Sequence, residues 1–235
     1  MAKGFFVTAT DTSIGKTIVS AALIRAMRYL GHKAAAMKPI ETGCVKRDNI
    51  LLPSDGIFLK NVSGMNEKIS SIAPCMYEKP LSPLVASEIE ESGVDLPGIM
   101  HAYNDLVGRY DVIIVEGIGG LYVPILRDYF VSDLAIEMKL PLIIVARPTL
   151  GTINHTLLTV HYAVSKGLKI AGIIMNYSSE PENDIAEETN KKTLKSLMDV
   201  PIIGSFPYIP DFEEETLDRE VVKSFDMSIL EKCLS

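Results

Sequence analysis

The stretch from Phe5 to Thr17 constrains this chain more than any other. Phe5-Phe6-Val7-Thr8-Ala9 is a short apolar run, and Thr10-Asp11-Thr12-Ser13-Ile14 carries it to Gly15-Lys16-Thr17. From Thr17 to Leu30 the apolar residues Ile18, Ala21, Ala22, Ile24, Ala26, Met27 and Leu30 recur at helical spacing, and Gly31 supplies a stop. A strand that feeds a loop opening a helix turns the helix's unpaired N–H groups, and the positive end of its dipole, toward one point. An anion is stabilised there. Gly15 lets the backbone close on phosphate oxygens, the Lys16 side chain reaches β/γ-phosphates, and the Thr17 hydroxyl suits Mg²⁺. The motif departs from its usual form at Thr10, where a glycine normally stands five residues before Gly15.

The order of later segments extends this start into a fold. Lys33 to Met37, Val112 to Val115, Leu142 to Val145, Ile170 to Met175 and Ile202 to Phe206 read as strands. Helical patterns fall between them. Asp95 is placed to cap a helix with Leu96, Ile99, Met100, Tyr103 and Leu106 on its inner face; Thr152 to Lys166 ends at Gly167; Asp184 to Leu197 is polar and helical. The strand runs are continuously apolar, so both faces are expected to be covered. Alternating strands and helices of this kind predict an α/β fold: a single-domain, doubly wound, mostly parallel sheet of the P-loop NTPase type, spanning residues 1–235. The stretch from Glu41 to Leu96 is irregular and rich in Pro and Ser, with Pro53, Pro74, Pro80 and Pro83. Long excursions beyond strand ends in such sheets shape ligand sites.

Composition narrows the function. The net charge of −7 argues against a nucleic-acid surface, so a polyphosphate site must gather a few lysines locally. Three cysteines (Cys44, Cys75 and Cys233) without CxxC spacing fit a reducing compartment. The N-terminus from Met1-Ala2-Lys3 lacks a signal-type apolar region, and no apolar stretch approaches the ~18 residues of a membrane span. A cytoplasmic location without membrane attachment is the expectation. His155 and His161 stand six apart, off the spacing of a helical metal pair.

Three further residues point to the phosphate site. Val112 to Val115 leads to Glu116-Gly117-Ile118-Gly119-Gly120, and an acid at the carboxyl end of a strand is where phosphoryl-transfer enzymes arrange Mg²⁺. The second strand ends in Lys38-Pro39-Ile40-Glu41-Thr42-Gly43, which brings another lysine to the same edge if the first two strands are near neighbours. Asp55 is either a second acid ligand or a helix cap.

Together these segments resemble the dethiobiotin synthetase family. The matching pieces are Phe6 to Thr12, Gly15-Lys16-Thr17, Lys38-Pro39, Asp55, Val115 to Gly120, Leu150-Gly151-Thr152-Ile153-Asn154-His155 and Asn176, in the family's order and reaching to Pro207. The resemblance implies ATP- and Mg²⁺-dependent carboxylation and ring closure of 7,8-diaminopelargonate with CO₂. Residues Ser13, Ile14, Gly15, Lys16, Thr17 and Ile18 then hold phosphates. Thr17, Asp55 and Glu116 arrange Mg²⁺, with Gly117, Ile118 and Gly119 beside the nucleotide. Lys38 is the active-site lysine, with Lys16 and Thr12 as its catalytic companions. Thr12, Lys38 and Thr42 face the diamine. Asn176 with Ser205, Phe206 and Pro207 forms the adenine site. Leu150, Gly151 and Asn154 meet the substrate's carboxylate tail at a homodimer interface. Ala9 and Ser13 depart from the family's usual Gly and Glu, and Arg147-Pro148 is unusual before Leu150. The acidic run from Asp211 to Glu215 falls in a family-variable segment.

Two rival readings share the loop. Regulatory ATPases of the partitioning kind carry a lysine five residues before the loop lysine, where this chain has Asp11, and Phe225 to Ser235 is not a basic membrane-binding tail. Related ATP-dependent amide synthetases of the cobyrinate type are usually fused to a glutamine-hydrolysing domain, for which 235 residues leave no room.

Overall fold

The computed structural model describes residues 3–181, 184–210 and 213–234. Met1, Ala2, Asp211 and Ser235, parts of segments weighed above, lie outside the described residues. Six strands form one sheet: β1 (Gly4–Ala9), β2 (Ala34–Met37), β3 (Val112–Glu116), β4 (Leu142–Ala146), β5 (Ile170–Asn176) and β6 (Ile202–Phe206). Their order is β6-β5-β4-β1-β3-β2, with every neighbouring pair parallel. The chain leaves β1 for the sheet edge at β2, returns to β3 beside β1, and then crosses to β4 and winds outward the other way. Ligands of open parallel sheets bind beyond the strand ends where winding reverses, and β1 ends there.

Burial explains the apolar runs. All residues of β1, β2, β3 and β4 are buried, as expected for strands covered on both faces. Helix α1 (Lys16–Tyr29) packs Val19, Leu23, Ile24 and Met27 onto the sheet. The helix Leu96–Val107 is capped by Asp95, whose carboxylate accepts the Gly98 N–H at 2.9 Å. Asp184 likewise accepts the Glu187 N–H at 2.7 Å and caps Ile185–Leu197.

The irregular stretch after Glu41 is more ordered than its composition suggests. It holds α2 (Ser54–Ser63), the short helices Ile69–Ile72 and Pro83–Ile89, a parallel ribbon of Ile40–Thr42 with Cys75–Tyr77, and an antiparallel ribbon of Val45–Arg47 with Ile50–Leu52. These elements are short, and packing rather than periodicity stabilises them. Three further helices, Val131–Met138, Glu214–Ser224 and Met227–Leu234, escape the sequence reading. The first carries a legible stripe of Val131, Leu134, Ala135 and Met138; the second buries only Leu217 and Val221 among charges. Among the described residues no helix is long and apolar enough to cross a membrane.

Candidate active site

The loop between β1 and α1 is built by two residues in left-handed conformation, Ser13 at φ 55° and Gly15 at φ 86°. Ala9 and Thr10, the positions lacking glycine, need no positive φ; Ser13 adopts it instead. Gly15 is required by space as well, because a Cβ there would stand 2.2 Å from Asn176 Nδ2. That nitrogen donates to the Ile14 carbonyl at 2.8 Å, which fixes the loop to the end of β5. The same bond orients the amide, leaving the buried Asn176 Oδ1 without a hydrogen-bond partner among the described residues.

Parallel register brings the charged side chains together. Met37 pairs with Val115 and Val7 with Glu116, so Lys38 and Glu116 leave the sheet at one edge. Lys38 Nζ makes a short, charged hydrogen bond to Glu116 Oε1 and lies 3.0 Å from Asp55 Oδ2. Thr17 Oγ1 donates to the same Glu116 oxygen at 2.9 Å. Lys16, Lys38 and Glu116 are all buried, Glu116 at 1% exposure. Burial, then the Lys38 charge, push the Lys16 ammonium down to about 8. Burial also works against the Lys38 charge, but Glu116 and Asp55 overcome it and hold that ammonium above the ordinary lysine value. An anion arriving at Lys16 therefore stabilises a charge that burial disfavours.

Thr17, Asp55 and Glu116 offer only oxygen donors, and Glu116 Oε2 is buried with no hydrogen-bond partner among the described residues. Among those residues no cluster of three or more His, Cys, Asp or Glu side chains could hold a metal by itself. Two carboxylates and a hydroxyl fit Mg²⁺, which keeps waters and takes phosphate oxygens rather than a closed protein cage. Lys38 bridges both carboxylates and serves as their cation in this structure.

A cavity of about 630 Å³ opens over these groups. Of the residues singled out from sequence, it is lined by Thr12, Ser13, Gly15, Lys16, Thr17, Ile18, Lys38, Thr42, Asp55, Glu116, Ile118, Gly119, Asn176 and Pro207. Gly117 and Ile14 lie just behind this wall; a Cβ at Gly117 would sit 2.8 Å from the Phe6 ring. Ser205 turns aside to accept from Lys191 Nζ at 3.1 Å, and Phe206 is fully buried. Leu150, Gly151 and Asn154 stand exposed away from the cavity, Leu150 at 84%. Cys44 is buried, and burial pushes its thiol up to about 12, which leaves no nucleophile there.

The cavity also contains residues the sequence reading passed over. Tyr177 and Ser178 follow β5, and Tyr208 and Ile209 follow β6, so the strand-end rule could have found them. Glu41 lines it too, and burial raises its carboxyl above the usual range. Arg147 pairs with Asp11 at 2.8 Å, tying the end of β4 to the loop where a partitioning ATPase carries its lysine.

A parallel sheet reversing at β1, with a Gly-Lys-Thr loop wrapped onto a helix start and an acid at the end of β3, defines a P-loop NTPase. The sheet order and solved relatives agree. The septum site-determining protein MinD of Pyrococcus horikoshii, complexed with Mg-ADP, superposes with a TM-score of 0.55 at 22% identity, covering 95% of this chain and 88% of that one. Residues 3–216 match a family model described as an AAA domain. Sequence relatives specify the branch. An ATP-dependent dethiobiotin synthetase BioD of Thermodesulfovibrio yellowstonii is 47% identical over 98% of this chain and 99% of its own length. The protein of that name from Bacillus thuringiensis is 42% identical over 94% of this chain and 88% of its own. The chain belongs to the ATP-dependent dethiobiotin synthetase family.

Proposed function

We infer that this protein is an ATP-dependent ligase of biotin biosynthesis that closes the ring of dethiobiotin from 7,8-diaminopelargonate and CO₂, releasing ADP and phosphate. The observation that carries the reading is the convergence of Lys16 and Lys38 with Glu116, Asp55 and Thr17 on one cavity, in a chain 47% identical to a dethiobiotin synthetase.

An amine of the substrate adds to CO₂ and loses a proton, giving a carbamate. The carbamate oxygen attacks the γ-phosphorus of ATP and ADP leaves. The neighbouring amine then attacks the carbonyl carbon of the mixed anhydride, expels phosphate and gives up a proton as the cyclic urea forms. Such transfer asks for position and compensating charge more than for proton traffic. Lys16 neutralises the phosphate tail. Lys38, held charged by two carboxylates, lies between that tail and the carbamate, and needs to transfer no proton. Thr17, Asp55 and Glu116 would hold Mg²⁺, which supplies further positive charge against the phosphate oxygens when bound. Thr12 and Thr42 supply hydroxyls on the cavity wall for the diamine.

The fixed Asn176 amide presents an acceptor oxygen, which suits the exocyclic amino group of adenine, and Pro207 borders the same region with Tyr208. The reading includes a homodimer: Leu150, Leu158 and Val164 leave apolar surface around the helix Thr152–Ser165 that a second copy would cover. Leu150, Gly151 and Asn154 would meet the substrate's carboxylate there. The reading has the enzyme acting in the cytoplasm on small molecules, with neither nucleic acid nor membrane as a partner; the net charge of −7 supports the first of these exclusions.

The partitioning alternative is not favoured, because Asp11, engaged by Arg147, stands where its lysine belongs. Purified protein incubated with diaminopelargonate, bicarbonate, Mg²⁺ and ATP tests the reading. One cyclic urea per phosphate, seen by mass spectrometry, is expected. Phosphate release without the urea would refute it.

A further inference from the structure

The start of α2 brings Asp55 to the site, yet α2 has no cap of its own. Its N-cap residue is Pro53, and no side chain of the adjoining turn accepts the first N–H groups. Four such groups at a helix start need partners. Two are taken by Glu41, which lies on a different element, the strand Ile40–Thr42. Glu41 Oε1 accepts the Asp55 N–H and Oε2 accepts the Gly56 N–H, each at 2.9 Å. The carboxylate is 4% exposed. Gly56 lets this first turn pack closely against its neighbour: a Cβ there would stand 2.9 Å from Ala73 Cβ, while Glu41 Oε2 at 3.5 Å would be in ordinary contact.

The run Lys38-Pro39-Ile40-Glu41 thus holds Asp55 at both ends. Lys38 engages its carboxylate at 3.0 Å, and Glu41 engages its backbone N–H. Each Glu41 oxygen accepts one N–H of the helix start, which fixes the carboxylate's orientation. We propose that Glu41 is a positioning residue that clamps the first turn of α2 and thereby presents Asp55 to the Lys38–Glu116 pair and to Mg²⁺. This rests on the reading of Asp55 as a Mg²⁺ ligand given above.

Partners that orient a ligand from behind commonly change metal affinity 10- to 100-fold when removed. Glu41→Ala should therefore weaken Mg²⁺ binding to the complex with a non-hydrolysable ATP analogue about tenfold by calorimetry, and raise the Mg²⁺ concentration for half-maximal dethiobiotin formation to match, with turnover largely recovered at high Mg²⁺. The test is a double-mutant cycle with Asp55→Ala, since residues acting through one another give non-additive effects. Asp55→Ala alone should raise the Mg²⁺ requirement, and adding Glu41→Ala to it should raise it no further. A general loss of structure would instead multiply in both backgrounds, and that result overturns the proposal while leaving the role of Asp55 intact. An unchanged Mg²⁺ requirement in Asp55→Ala overturns the ligand reading itself, and this proposal with it. Should Glu41→Ala fail to fold, Glu41→Gln keeps the volume and one acceptor oxygen. It should fall between wild type and Asp55→Ala, and a wild-type Mg²⁺ curve for Glu41→Gln overturns the proposal.

Discussion

Lys38→Ala separates the two jobs that this lysine performs. Its ammonium is buried against Glu116 and Asp55, and among the described residues Glu116, at 1% exposure, keeps only the Thr17 hydroxyl at 2.9 Å as a hydrogen-bond partner once the lysine is gone. Breaking a buried pair by removing one partner costs about 3–5 kcal/mol, because the remaining charge is stranded. Asp55, with its side chain 39% exposed, finds water, so the lower end applies. At roughly 2–4 °C per kcal/mol for a chain of this size, about 3 kcal/mol lowers the melting temperature by about 6–12 °C. Turnover should fall further than stability suggests. Loss of one preorganised group that meets charge in the transition state costs about 2.7–4 kcal/mol, or ~10²–10³ in kcat. ATP affinity should change little, since Lys16 and the loop remain. The assay is dethiobiotin formation by mass spectrometry beside ATP binding by calorimetry, both well below the variant's melting temperature. Near-normal ring closure, or a loss confined to ATP affinity, would refute the assignment.

Two other substitutions follow from contacts already described. Gly15→Ala forces a Cβ to within 2.2 Å of Asn176 Nδ2 at φ 86°, and calorimetry should show ATP binding weakened by at least tenfold, about 1.4 kcal/mol. Asp218 is held below its ordinary pKa by hydrogen bonds from Arg25, a contact that ties the helix Glu214–Ser224 to α1. A depressed carboxyl contributes stability above its unfolded pKa and loses it as pH falls through the folded value. Because the Asp218 side chain is half exposed, the contribution is about 1 kcal/mol or less. Asp218→Asn should melt lower by at most about 2–4 °C at pH 7, and thermal scans should show the difference shrinking as pH falls below the ordinary aspartate value of about 4.

How much of this was legible in sequence depends on what kind of force fixes each part. The six strands of the sheet were readable because residues such as Val112 to Val115 are apolar without alternation, and burial on both faces leaves them few alternatives. Lys16, Thr17 and Glu116 were readable because each occupies a fixed offset from a strand end. The adjacency of Lys38 was only conditional on strand order, and the answer is that β3, not β1, is its neighbour. The segment after Glu41 defeated periodicity, since α2 is anchored by a carboxylate from another element rather than by a cap in its own sequence. Asp55 is neither the cap nor an isolated acid. It sits one residue inside the helix, with Glu41 on its amide and Lys38 on its carboxylate. The resemblance implies Ser205 at the adenine site, but not the contact by which Lys191 reaches its hydroxyl from the helix Ile185–Leu197, which no local pattern announces.

The most direct test of the account is a crystal structure with a non-hydrolysable ATP analogue, Mg²⁺ and the diamine. The ammonium groups of Lys16 and Lys38 are expected on the same terminal phosphate, with the metal among Thr17, Asp55 and Glu116. A phosphate tail bound by Lys16 alone, with Lys38 turned away from it and from the diamine, would contradict it.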